Sequence, residues 1–453
     1  MKPFEGQGHW WLLGDEERRL PGTLKINAAG DVELHIIGSL SPFDLLGDSV
    51  TKNGITETVF TEESAEKVGT YPRIHGIIGT TAYTLEDCFQ KRADRNLLGG
   101  VPTEVVHVNQ VFKGVFYEEG EEVVASGISF TLKYLSYWVL KGGLSSSFRF
   151  PERQLEARDG APEPRFSVYG HEVQPESANL ADSSELRLRQ HLVLTGDGVT
   201  CQGIKQSYYY HYDPPSLSPM DTLLEVASDL QDLVSIATNR TAQFDEVNFY
   251  HPDVKFKLGE GRFALRPIEF HARWTAVDDA PVKISRIPLV FGYKEFGGMD
   301  GVAAWLDVAR KHRTSLGRVM STRYSKSMSV SDRLLNRAAS LESFDRTLHG
   351  DSIDFGARMS RCANYAGGTF MEMVKDRRKW SQLVKGDRDD IAHNLGRNRE
   401  TSEQVFLADS LYWLFVLCLL KESKASRDVF RAVKEYGDYS WLCRKMSGLL
   451  ASS

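Results

Sequence analysis

Residues 405–420 (VFLADSLYWLFVLCLL) constrain the fold more than any other stretch of the chain. The spacing predicts a helix over 403–421 that is apolar on nearly all sides. Such a helix has to be covered on all sides. Its unbroken apolar run, 411–420, is half the ~20 residues that a membrane span needs, so it reads as a buried core helix. A small bundle has difficulty covering such a helix alone, which predicts a second copy packed against it.

The flanking sequence supplies the covering helices. From Ser331, read as an N-cap, the residues Leu334, Leu335, Ala338, Leu341, Phe344 and Leu348 form a helical stripe with Glu342 beside it. At least one more helix is expected within 355–384, broken near Gly367-Gly368, and a last one over about 426–436, with Trp441 after it. Helices with short connections predict an up-down bundle over 325–453.

The N-terminal part reads as β-rich. Residues 20–37 alternate, turn at Gly30-Asp31 and alternate again, a hairpin pattern, and 74–88 repeat it around a Gly-centred turn. Further strands are expected at 105–116 and 123–132, and Trp10 and Trp11 read as core or turn packing. Residues 141–190, rich in Gly, Ser, Pro and charge, read as surface loops and edge strands; no role is assigned to 141–185. A strand run resumes at 186–194 and reaches the tyrosine-rich 207–212 (SYYYHY), read as a strand with alternate rings in and out, against a recognition surface. Pro214-Pro215 ends it. An amphipathic helix is inserted at 221–239, with Leu223, Leu224, Val226, Leu230, Leu233 and Ile236 largely on one face. A second β segment follows over about 244–293. Residues 301–319 are expected to be one helix, with Asp300 as N-cap and His312 in a basic late turn, complementing the helix dipole.

The 453 residues exceed what one core supports. The expected architecture is α+β and multidomain: a β-rich region over 1–320, open to a split into two subdomains near 215–240, then the all-α bundle over 325–453. The formal charge of −6 does not suggest a nucleic-acid binder, but it is uneven: 325–453 hold 21 Lys+Arg and 17 Asp+Glu, against 34 and 44 in 1–324. The basic excess of the bundle is compatible with a polyanionic substrate. Five scattered cysteines without a CxxC argue for a reducing compartment, hence a cytoplasmic protein, and against a cysteine-built zinc site. No cofactor and no membrane contact are expected.

Just before the apolar helix lies RDDIAHN, residues 388–394, in which Arg388 and His393 enclose four residues. An arginine is a fixed cation with a planar fork for phosphate oxygens, and a histidine moves protons near neutral pH. Together they suit chemistry on a phosphodiester. The competing reading is structural: Arg388 pairs with Asp387 or Asp390, and His393 caps a helix. On an ideal helix the two side chains stand about 140° apart. Either the helix distorts between them, or each points into a cleft shared with a second subunit. Asp387, Asp389 and Asp390 read as a solvated helix turn rather than a metal site. No GxxxxGK[ST], GxSxG or HExxH occurs.

The helical C-terminal half resembles the HEPN superfamily, helical bundles of which many are ribonucleases with an R-x4–6-H motif; Arg388 and His393 fit that motif, with Asp389 at its usual polar position. The stripe 334–348 with Glu342 resembles the family's first helix. The N-terminal half, through Pro21-Gly-Thr-Leu24, His75-Gly76, Thr84-Leu85 and Asp87-Cys88, resembles the β-rich region of ApeA-type antiphage proteins.

The resemblance implies an antiphage effector that cleaves RNA without a metal. The ribose 2′-OH is the nucleophile in that chemistry. His393 would then transfer the proton and Arg388 would stabilise the phosphorane; Asp389 orients either one, and Asn394 contacts phosphate. HEPN nucleases are generally dimers that build the site from two motifs, so a homodimer through the bundle is implied, with RNA as substrate. The N-terminal region would sense a phage-derived trigger and restrain the nuclease. Two other readings stay open: a non-catalytic RNA- or nucleotide-binding HEPN module, and a ligand-binding β module with a helical dimerisation domain.

Overall fold

The computed structural model describes residues 3–40, 48–52, 55–59, 69–94, 101–118, 120–148, 166–259, 261–275, 288–325, 327–350, 352–393 and 399–452. A β-rich N-terminal region is followed by an all-helical C-terminal region. The strands are β1 (Phe4–Leu12), β2 (Leu20–Ile26), β3 (Val32–Ile37), β4 (Asp48–Lys52), β5 (Ile55–Val59), β6 (Thr70–Ile78), β7 (Thr81–Asp94), β8 (Thr103–Lys113), β9 (Val124–Ala125), β10 (Gly127–Leu132), β11 (Leu144–Phe148), β12 (Phe166–Gly170), β13 (Glu176–Asn179), β14 (Glu185–Gly196), β15 (Gln202–Asp213), β16 (Ser218–Pro219), β17 (Phe244–Tyr250), β18 (Lys255–Gly259), β19 (Arg262–Leu265) and β20 (Ile268–Ala272). The helices are α1 (Leu135–Val139), α2 (Met220–Thr238), α3 (Gly298–Lys311), α4 (Arg313–Tyr324), α5 (Val330–His349), α6 (Phe355–Ala366), α7 (Gly368–Val374), α8 (Arg377–His393), α9 (Thr401–Glu422), α10 (Arg427–Glu435) and α11 (Gly437–Ser452).

Two compact units form, and neither is one stretch of chain. The first comprises Met1–Leu132, Tyr210–Leu224 and Gln243–Lys283; the second comprises Lys133–Tyr209, Glu225–Ala242 and Ile284–Ser453. The boundary expected near 320–325 therefore falls inside the second unit.

In the first unit the antiparallel order β1-β2-β3-β8-β7-β6 returns to β1. Six strands thus close into a barrel, which leaves none of them as a free edge. The period-2 alternation read from the sequence fills it: Leu24, Ile26, Val32, Leu34, Ile36, Val106 and Val108 point inward with Trp10, Ile74 and Leu85. Trp10 is paired across strands with Gly76. A Cβ on Gly76 would stand 2.1 Å from the indole, so only glycine fits beneath that ring. Near the start of β8, the buried Glu104 carboxylate accepts from Tyr71 Oη, Leu40 N, Gln90 Nε2 and Ser39 Oγ. Four donors satisfy this buried carboxyl group. Beyond Gln110, β8 also pairs with β20, and the sheet continues through β17 and β10 to the end of β15. Tyr210 and Tyr212 are buried and His211 between them is not, the alternation expected of a strand.

In the second unit α9 is the core. Every residue of 411–420 is buried within the one chain, against α3, α5, α6, α7 and α11. The helix is long and apolar enough to cross a membrane by composition, yet its apolar surface is spent on these neighbours. It needs no second copy to cover it, which removes the packing argument for a dimer.

Several local expectations are corrected. The single helix expected over 301–319 is two, α3 and α4, interrupted at His312, and Asp300 lies in the first turn after an N-cap at Gly297. His312 is no dipole-compensating surface residue. It is buried with its ring 4.5 Å from Phe344, and neither ring nitrogen has a hydrogen-bond partner among the described residues. The N-cap of α5 is Ser329, whose hydroxyl accepts from Asp332 N, rather than Ser331. Trp441 lies not after the last helix but on α11.

Candidate functional site

The motif lies at the C-terminal end of α8. Asp376 starts that helix by accepting from the backbone N–H groups of Arg378 and Lys379. Trp380, Val384 and Asp387 follow on its buried stripe. Trp380 fixes the stripe, donating from Nε1 to Ser410 Oγ on α9 and packing edge-on against Phe370.

Asp387 is an acid on an apolar stripe, and its partner comes from beyond the helix. Nε of Arg399 lies 2.8 Å from both of its carboxylate oxygens, and Arg399 Nη1 reaches Glu403 at 3.3 Å. Burial pushes the Asp387 carboxyl above its ordinary range, and Arg399 opposes that shift. The end of α8 is thereby tied to the start of α9.

Arg388 therefore does not pair with Asp387. Its Nη1 donates to Asp389 Oδ1 at 3.0 Å, and its guanidinium lies 4.9 Å from the centre of the Phe355 ring at the start of α6. Half-buried, it keeps a solvent-facing edge. His393 is the last residue of α8 and is exposed. The helix runs unbroken from Arg388 to His393, so the distortion that would bring the two side chains onto one face is absent. Within one chain they remain about 140° apart. Asp389 sits one turn before His393, on the same face of α8. Asn394 lies outside the described residues. Asp387 is held by Arg399 and Asp389 by Arg388; among the described residues no group of three or more His, Cys, Asp or Glu side chains is placed to hold a metal ion.

Helices α5 and α6 share a cluster that the sequence reading missed. Asp345 on α5, one per cent exposed, accepts from Arg358 Nη1 at 3.0 Å and from Arg361 Nε at 2.7 Å, both on α6. Glu342, which the sequence had singled out, accepts from Arg346 one turn on and lies 4.0 Å from Nε of Arg358, at the edge of the same cluster. The available signal was an aspartate immediately after Phe344 in an apolar stripe, followed by two arginines three residues apart.

In the first unit, the short motifs serve the barrel wall. His75 is buried and donates from Nε2 to the Tyr117 carbonyl at 2.8 Å. Thr84 Oγ1 donates to the Val115 carbonyl and accepts from Tyr117 N. Both pin the segment after β8. The Asp87 carbonyl accepts from Asn109, and Cys88 is in the core.

Residues 5–286, more than half of the chain, match the family described as ApeA N-terminal domain 1. The helices from α3 onward lie outside that match. No curated protein and no solved structure matches the chain.

Proposed function

Because the chain belongs to the family of ApeA N-terminal domain 1, we propose that it is an antiphage defence effector whose helical C-terminal region is a HEPN-type endoribonuclease. The observation that carries this reading is the pairing of an accessible Arg388, hydrogen-bonded to Asp389, with an exposed His393 at the open end of one helix. A histidine there can take the ribose 2′-hydroxyl proton or give one to the leaving 5′-oxygen. Arg388 can clamp the phosphorane oxygens, with Asp389 setting the plane of its guanidinium. The 140° between the two side chains supports a site completed by a second copy of the chain, so that two histidines supply acid and base. In this reading the β-rich region senses a phage component and restrains the nuclease.

The test is purified full-length protein incubated with total RNA, with and without EDTA. Chelator-resistant cleavage leaving 2′,3′-cyclic or 3′-phosphate ends is expected. Wild-type protein that cuts no RNA, even with phage lysate added, would leave a binding module in its place.

A further inference from the structure

A second feature of the helical unit lies apart from the motif. A cleft of about 650 Å³ is lined by Asn239, Arg323, Asp409, Tyr412, Trp413, Asp438, Trp441 and Arg444, among others. All of these residues belong to the second unit.

The walls are aromatic. Tyr412 and Trp413 come from the otherwise apolar α9, their rings 5.5 Å apart. Trp441 stands on α11 with 43% of its surface exposed, propped edge-on by Phe406 at 5.5 Å. A large ring held by its edge and open to solvent is a stacking platform rather than a core residue.

The charges are arranged for an anion. Arg323 is stacked over Tyr412 at 4.8 Å and steadied by the Asn239 carbonyl. Arg444 is exposed and, among the described residues, in no ion pair. Lys445 adds a cation 5.6 Å over the Trp441 ring. Of the two acids, Asp409 is neutralised by Arg337 Nη1 at 2.8 Å, and Asp438 accepts from Asn239 Nδ2 at 2.9 Å. The cleft thus joins a planar stacking surface, guanidinium groups and an amide–carboxylate pair able to read hydrogen bonds. Its volume is that of a small-molecule site.

We propose that this cleft binds a nucleotide, its base stacked on Trp441 and its phosphate held by Arg323 and Arg444. The nucleotide is either free or an unpaired residue of an RNA strand; the chemistry recognised is the same. Asn239 and Asp438 face the base edge. The proposal stands whether or not the chain cleaves RNA.

The full-length chain is tested with two probes. AMP, GMP, CMP and UMP are titrated by calorimetry. A labelled hexanucleotide with 2′-O-methyl riboses, which cannot be cut through the 2′-oxygen, is followed by fluorescence anisotropy. At least one probe is expected to bind, with affinity falling about tenfold or more in Trp441→Ala, since stacking on an aromatic side chain is worth that much. Trp441→Phe should retain most of it, and Arg444→Glu should lose as much as Trp441→Ala. Both residues are exposed, so both variants should melt as the parent does. Binding of free nucleotides identifies a small-molecule site; binding of the oligonucleotide alone identifies an RNA contact. No binding of either probe overturns the proposal. So does binding that survives both Trp441→Ala and Arg444→Glu.

Discussion

Nε of Arg399 lies 2.8 Å from each carboxylate oxygen of Asp387, so one N–H is shared between both oxygens of a buried acid. The pair fixes the helix carrying Arg388 and His393 to the core helix. Removing the arginine leaves a carboxylate in a half-dry site. Breaking a buried ion pair costs about 3–5 kcal/mol, and Arg399 keeps a fifth of its side chain exposed, so Arg399→Met should cost about 2 kcal/mol. Adding Asp387→Asn should restore part of the loss. Urea unfolding of the parent and both variants measures this; an Arg399→Met protein as stable as the parent refutes the structural role.

Gly76 should tolerate no side chain. Alanine there would drive its methyl into the Trp10 indole, and overpacking of a tight core costs about 1–3 kcal/mol. Gly76→Ala is expected to lower the denaturant midpoint, and Trp10→Leu in the same chain should relieve part of the strain. An unchanged midpoint in Gly76→Ala would contradict the packing described.

His312 should make the protein acid-sensitive. Burial depresses its pKa to about 4 from the ordinary 6.5, with Lys311 adding repulsion and Glu422 opposing it. Between those values the unfolded chain binds a proton that the folded one refuses. Stability therefore falls as pH drops from about 6.5 towards 4, by up to about 1.4 kcal/mol per pH unit for one proton. His312→Met should flatten that limb in stability curves measured from pH 7 to 4. Equal slopes in parent and variant would show that other groups dominate.

The proposed catalytic roles separate by substitution. His393→Ala should lower the cleavage rate by about 10²–10⁴-fold, the usual worth of general acid–base catalysis. Arg388→Lys should fail nearly as badly, because lysine keeps the charge and loses the fork. Both sit at a solvent-facing helix end, so thermal midpoints should stay within a degree or two of the parent. A His393→Ala protein that melts normally and cuts at the parental rate ends the assignment.

Phe415→Asp should unfold the chain rather than yield a folded monomer. Its ring is fully buried and packs edge-on with Phe344 of the same chain. Light scattering with circular dichroism distinguishes the outcomes. A folded, monomeric variant of a dimeric parent would return α9 to an interface.

Much of the fold was legible where local pattern and tertiary role coincide. The alternation of 20–37 gave β2 and β3, and the apolar run 411–420 gave the core helix. Which strands close the barrel was not legible, because the β7–β8 and β1–β6 pairings carry no local signature. The break at His312 was hidden because Val302, Trp305, Leu306, Leu316 and Val319 keep a helical spacing across it. α11 was missed because Gly437 and Gly448 weaken its helical signal, though Leu442, Met446 and Leu449 bury one face. At the motif, Arg388 and His393 were found by spacing. The Arg399 partner of Asp387 lies twelve positions away, past the end of the helix, and only the folded chain pairs them.

The interleaving of the two units bears on how such a protein can be taken apart or inherited. The backbone passes from one unit to the other at 132/133, 209/210, 224/225, 242/243 and 283/284. No single cut separates them. A fragment starting at 325 would discard α4, whose Thr322 accepts from the buried Arg337, and α3, whose Trp305 is buried against α2. Recombination at one point would likewise deliver an incomplete core on both sides of the junction. Change in loops and exposed faces can then alter its surface, whereas exchange of a detachable N-terminal half cannot.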